Sequence, residues 1–209
     1  MAADEKSPVS RGFVGRRRSA AQAERVPPGQ YVTVDFPILS AGPTPHTPLE
    51  QWSFALQHGT QRLAEWSWAQ FQALKQSSVT VDIHCVTKWS KLDTRWVGVT
   101  FDTLLEAAGL ISPPTAYVMA YSDGGYTTNL PVADLLNGQA LVVTRFDDAA
   151  LAPGHGGPAR LLVPHLYFWK SAKWVRGLSF ITEDKPGFWE SLGYHIYGDP
   201  WKEQRYAGD

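Results

Sequence analysis

Residues 78–90 read "SVTVDIHCVTKWS". Val79, Val81, Ile83 and Cys85 fall on one side of a two-residue period, with Thr80, Asp82 and His84 on the other, which is the alternation of a half-buried strand. Cys85 is the only cysteine of the chain and ends that strand on its apolar side. By residue type alone, a free cysteine is an ordinary small buried hydrophobe. The sequence after it is less ordinary. "TKWSKLDTRWVG" (residues 87–98) sets Lys88, Lys91 and Arg95 among Trp89 and Trp96. It reads as an exposed functional loop, where positive charge would stabilise a thiolate as nucleophile or as soft metal ligand.

Outward from this strand the signals alternate between sheet and short helix. "WSFALQ", "HGT" and "QRLAEWSW" (residues 52–68) predict a hairpin, and "WAQFQALKQS" (residues 68–77) a short helix with Trp68, Phe71 and Leu74 at three-residue spacing. "TFDTLLEAAGL" (residues 100–110) predicts a helix capped by Thr100 and stopped by Gly109. "TAYVMAYS" (115–122) and "ALVVTRFD" (140–147) predict strands, and "VADLLNG" (132–138) a short helix. "QYVTVDFPIL" (30–39) is β-rich and runs into "SAGPTPHTP" (40–48), a stiff loop with three prolines. Residues 151–182 read as a glycine- and proline-rich loop feeding strands, and 184–206 as aromatic and irregular. With no repeat and no regular βαβ alternation, the expected fold is α+β, with mixed sheets, short helices and extensive ordered loops.

Composition bounds what such a domain can do. The 209 residues are 44% hydrophobic and 19% charged, enough for one well-buried domain. Nine tryptophans and fifteen prolines suggest rigid loops with aromatic-lined surfaces. A net charge of -1 leaves no global field to steer the chain to nucleic acid or anionic lipid, so any anion site is local. One cysteine excludes an internal disulfide and fits a reducing cytosol. Arg16, Arg17 and Arg18 are not followed by an apolar export segment, and no later stretch approaches the roughly 18 apolar residues of a membrane span. Residues 1–25 are read as a flexible tail, 26–209 as the domain, and the protein as cytoplasmic.

A second constellation is "HGGPAR" (155–160) followed by "KSAK" (170–173). Gly156 and Gly157 let the backbone approach a ligand, while Arg160, Lys170 and Lys173 supply the cations a phosphate needs. "SDGGY" (122–126) adds another glycine turn. No P-loop, dinucleotide fingerprint or Gly-x-Ser-x-Gly elbow occurs. His84 falls on the strand face opposite Cys85, which argues against a Cys-His pair.

These segments, taken in order, resemble the sulfite oxidase-like molybdopterin-dependent oxidoreductases. "HCVTKWS...RWVGVTFDTLLEAAGL", "SDGGYTTNLP", "HGGPARLLVPHLYFWKSAKWV" and "PGFWESLGYHIYGDPW" carry the resemblance, which covers about residues 26–209. It implies Cys85 as protein ligand to molybdenum, a molybdenum-molybdopterin cofactor, and two-electron oxygen-atom transfer between Mo(VI) and Mo(IV). It places Ser40, Ser122, Asp123, His155, Arg160, Ser171, Ala172 and Lys173 at the pterin and its phosphate. Lys88, with Lys91 and Arg95, then forms a positive rim at the substrate mouth, and Tyr126 a pocket wall. Where sulfite oxidases carry Arg-Asn-His-Gly-Pro this chain has Leu39-Ser40-Ala41-Gly42-Pro43, which argues against sulfite as substrate. The Cys-Val-x-x-Trp-Ser spacing is closer to the methionine-sulfoxide reductase catalytic subunit, with Thr87 in place of an acidic residue. The substrate is then a small S-oxide, N-oxide or related molecule, the redox partner a separate protein, and the chain a monomer. A non-catalytic anion- or pterin-binding module on the same fold, and a thiol enzyme with Cys85 as nucleophile, are the alternatives.

Overall fold

The computed structural model describes residues 24–209, and the tail expected over 1–25 falls almost wholly outside them. Two sheets organise the chain. The first contains β1 (Tyr31–Val32), β4 (Ser77–His84), β5 (Trp89–Thr100), β8 (Leu141–Phe146), β9 (Ala149–Ala150) and β10 (Arg160–Leu162). Its path is β1-β5-β8-β10, with β4 also on β5 and β9 on β8. The second runs β3 (Gln61–Ser67), β2 (Ser53–His58), β11 (Val175–Ile181), β6 (Tyr117–Ser122) and β7 (Thr127–Pro131). The β1–β5 and β2–β11 pairs are parallel and the rest antiparallel, the mixed-sheet α+β arrangement expected from the sequence.

The helices are short and closed by local signals. In α1 (Trp68–Ala73) Ser67 and Gln70 form a reciprocal capping box. The Thr100 side chain accepts from Thr103 N at 3.1 Å to start α2 (Phe101–Ala107), and Gly109, at φ +70°, ends it. The third, α3, is a single turn at Phe188–Ser191. "VADLLNG" gives only a 3-10 turn over Val132–Asp134, in place of the expected helix.

The centre of the first sheet is buried on both faces. Val99, Val142 and Leu161 point into the core shared with α1, α2 and the second sheet. Their neighbours Trp96, Leu141, Val143 and Leu162 point into a second core with Ile83, Cys85, Tyr167, Phe168 and Trp169. This explains the apolar runs Leu141–Val143 of β8 and Leu161–Leu162 of β10, since a strand covered on both sides has no polar face to alternate with. Val79 and Val81 pack against that second core, as the alternation of residues 78–85 requires.

The expected exposed loop at 87–98 is a correction. Residues 89–100 are the twelve-residue strand β5, which pairs with β1, β4 and β8 and buries Trp89 and Trp96. Its period is hidden because the register shifts twice, between Val81 and Ile83 against β4 and between Val97 and Gly98 against β8. Gly98 is required at the second shift, since a Cβ there would lie 2.2 Å from Val142 O.

Candidate active site

Cys85 sits in the turn that joins β4 to β5. Cys85 N donates to Trp89 O at 2.8 Å and Lys88 N to Cys85 O at 3.0 Å, with Lys88 in the left-handed region at φ 75°. Two distant side chains clamp this turn: Gln30 Nε2 donates to Cys85 O at 3.1 Å, and Arg205 Nη1 to Val86 O at 2.9 Å. The thiol is 8% exposed, and Thr87 Oγ1 donates to its Sγ at 3.1 Å. Burial pushes the Cys85 thiol pKa up, while the Thr87 hydrogen bond and the Arg160 charge pull it down. His84 is no partner for it. Its ring meets Ser90 Oγ at 2.9 Å on the other face, and burial pushes its pKa down to about 4.

The thiol opens into a cavity of about 690 Å³, within the range of small-molecule and cofactor sites. Its roof is the irregular proline-rich segment Phe36–Pro45, and aromatic residues of the C-terminal region, including Trp189 and Tyr194, close one side. Ser40, Cys85, Asp123, Tyr126, His155, Arg160, Ser171 and Lys173 all line it, so residues up to 133 positions apart converge on one space.

Among the described residues, two cations in this cavity have no carboxylate partner. Arg160 is 3% exposed and donates through Nη1 to His155 O at 2.8 Å and through Nη2 to Ser171 O at 2.7 Å. Its Nε has no partner, and its guanidinium lies 3.9 Å from the Phe168 ring centroid. Burial pushes its pKa down to about 9, which still leaves it charged at neutral pH. Lys173 Nζ donates to Leu39 O at 2.7 Å and Gly154 O at 3.2 Å. Burial, then the Arg160 charge, push its pKa down to about 8. His155 stacks on Phe36 at 3.9 Å between centroids, and burial with Arg160 and Lys173 lowers its pKa. Gly156 brings the backbone against Lys173, since a Cβ there would lie 2.9 Å from three Lys173 carbons. A buried, unneutralised positive charge with a free N–H is the expected counterpart of a bound anion.

Other residues fall elsewhere. Lys88, Lys91 and Arg95 do not line the cavity: Lys91 Nζ bonds Val34 O and Arg95 pairs with Asp148, so the positive rim expected on them is not formed. Arg95 alternates with buried Thr94 and Trp96 and so points outward from β5, while Lys88 belongs to the turn before the strand. Ser122 and Ala172 are not lining residues either. The Ser122 Oγ is buried without a partner, and Ala172 contributes its carbonyl to Leu161 N at 2.8 Å. Lys170, expected among the phosphate cations, is 1% exposed in an ion pair with Glu190 at 2.6 Å. Asp123 lines the cavity with its carboxylate engaged by Arg176 at 3.2 Å and Thr47 Oγ1 at 2.5 Å. Tyr126 is a wall whose hydroxyl donates to Trp169 O at 2.5 Å, and burial raises its pKa well above the usual value. The clamps Gln30 and Arg205 carried no local signal, because their role depends on where the chain ends fold back.

Residues 41–189 match the family described as "Oxidoreductase molybdopterin binding domain". The chain belongs to that family. Membership takes the enzyme reading over the binding-module alternative: this is a molybdopterin-binding oxidoreductase domain. It is 41% identical over 198 residues to "Uncharacterized oxidoreductase YuiH" of Bacillus subtilis, covering 94% of this chain and 100% of that one. It is 30% identical over 134 residues to "Putative protein-methionine-sulfoxide reductase subunit YedZ1" of Azospira oryzae, covering 64% of this chain and 50% of that one. In the crystal structure of the sulfane dehydrogenase SoxCD from Paracoccus pantotrophus the same fold recurs, with a TM-score of 0.58 at 17% identity over 67% of this chain and 40% of that one. The chain thus spans all of the first relative but half or less of the other two.

The residues present fit the family's cofactor. Among the described residues no three His, Cys, Asp or Glu side chains gather to hold a metal. Cys85 offers a single soft donor, while the unpartnered Arg160 Nε and the acid-free Lys173 suit an anionic group such as the pterin phosphate. Among the described residues no helix is long and apolar enough to cross a membrane.

Proposed function

We propose that this oxidoreductase binds molybdenum-molybdopterin through Cys85 and catalyses two-electron oxygen-atom transfer on a small S-oxide or N-oxide. The observation that carries the proposal is one cavity holding both a lone soft thiol and two cations without carboxylates. When bound, the metal centre supplies the two-electron exchange of an oxygen atom. The protein's own side chains do the rest. Cys85 Sγ binds the metal, Arg160 and Lys173 neutralise the cofactor anion, and Phe36, Trp189 and Tyr194 exclude water. Tyr126 keeps its proton on the Trp169 carbonyl and shapes the wall without titrating.

For a sulfoxide the sulfur–oxygen bond breaks, the sulfur gains two electrons to become a thioether, and the oxygen leaves with two protons as water. The electrons are delivered by a separate redox partner. The name of the YedZ1 relative, a putative protein-methionine-sulfoxide reductase subunit, supports an S-oxide. The lining points the same way: its cations are committed to the cofactor and the remaining wall is aromatic, which suits a neutral substrate better than sulfite. The test is molybdenum analysis of natively purified wild type and Cys85→Ser, with turnover on dimethyl and methionyl sulfoxides. Near-stoichiometric metal in wild type, and loss of turnover by more than about 100-fold in the variant, are expected. Wild-type protein free of molybdenum from a host competent to make the cofactor overturns the proposal.

A further inference from the structure

The sulfur of Cys85 has a hydrogen-bond donor in its own turn. Thr87 Oγ1, two residues on, donates to Sγ at 3.1 Å. The turn makes this possible. Lys88 at φ 75° and the Cys85–Trp89 and Lys88–Cys85 backbone bonds close the turn and hold Thr87 two residues from Cys85. Gln30 and Arg205 engage the carbonyls of Cys85 and Val86. Thr87 is exposed and lines the cavity, and among the described residues the one protein hydrogen bond of its hydroxyl is to Sγ. A side chain at a cavity surface, bonded to nothing but the sulfur, contributes little to the fold and is placed to act on what the sulfur binds.

We infer that Thr87 is a positioning residue for the metal-facing sulfur, whose hydroxyl withdraws charge from Cys85 Sγ and raises the reduction potential of a metal bound there. This rests on the proposal that Cys85 is the metal ligand. A hydrogen bond to a thiolate weakens its electron donation, so the more oxidised metal loses more stabilisation than the reduced one. Threonine also fixes the sulfur's direction, since its branched Cβ restricts the rotamer that presents Oγ1.

The experiment compares holoenzyme of wild type, Thr87→Val, Thr87→Ser and Cys85→Ser, reading molybdenum content, the Mo(V) resonance spectrum and the Mo(V)/Mo(IV) midpoint potential. Thr87→Val keeps its molybdenum and shifts the potential to more negative values. The expected shift is on the order of a tenfold change in the reduction equilibrium, about 59 mV for one electron. Thr87→Ser restores the wild-type potential. If Thr87→Val does not accumulate as folded protein, Thr87→Ala must show the same negative shift. A valine or alanine variant with wild-type potential and spectrum overturns the inference while leaving Cys85 as ligand, provided Cys85→Ser alters the spectrum. A Cys85→Ser protein with an unchanged Mo(V) spectrum removes the ligand reading and this inference with it.

Discussion

Lys170 and Lys173 lie three residues apart in one loop and meet opposite fates. Lys170 is 1% exposed, paired with Glu190 at 2.6 Å and bonded to Asn129 O, Asn129 Oδ1 and Ile196 O. Glu190 Oε1 also accepts from Thr128 Oγ1 at 2.8 Å and Trp169 Nε1 at 3.0 Å. Charge here is cancelled inside the protein and ties the C-terminal segment to the wall of the cavity. Lys173, with Arg160, meets only carbonyls and aromatic rings. The difference separates architecture from binding: a buried charge that finds its counter-ion in the fold is structural, and one that does not is held for a ligand.

The sharpest way to break this distinction is to delete one half of the neutralised pair. Lys170→Met leaves Glu190 buried and uncompensated, and costs about 3–5 kcal/mol in denaturant unfolding. The double variant Lys170→Met, Glu190→Gln recovers part of that loss. Equal losses in single and double variants would show that the pair is not coupled. Arg160→Met strands no carboxylate, so its unfolding loss falls below that of Lys170→Met, while the cofactor content of the purified protein drops by about 10- to 100-fold. If Arg160→Met destabilises as much as Lys170→Met, the two regions are not different in kind.

Lys173 gives a pH version of the same contrast. Its folded pKa of about 8 lies below the ordinary 10.5, so from pH 8 to 10.5 the unfolded chain holds the proton that the folded chain has lost. Its contribution to stability therefore rises with pH across that window, while its hold on an anion weakens. Cofactor loss from the holoenzyme quickens above pH 8, as followed by released pterin, and Lys173→Arg flattens the profile. The smallest effect belongs to the exposed side of β5. Arg95→Ala, which removes a surface pair with Asp148, shifts stability by about 0.2–1 kcal/mol and leaves turnover unchanged.

Local signals carried much of the fold. The hairpin of β2 and β3, the Thr100 and Gly109 ends of α2 and the inward face of β4 each depend on a few neighbouring residues, so they were legible. β5 was not, because two register shifts broke its alternation and its lysines and arginine resembled a loop. In the site, the ordered motifs named Cys85, Arg160 and Lys173, and the fold brings all three to one cavity. The charge pattern by itself grouped Lys170 with Lys173, because the carboxylate that decides the matter arrives from Glu190 on α3.

By itself the sequence determined a thiol at the end of an apolar strand face, the caps and turns of the short elements, and the order of segments that marks the family. The tertiary structure alone decided which cations of the described residues remain without a counter-ion, which tryptophans become core, and which side chain donates to Cys85 Sγ. The division has a physical cause. Periodicity and capping act over one or two turns of chain, whereas charge compensation and burial depend on partners such as Arg205 and Val86, 119 residues apart, that only the packed sheets bring together.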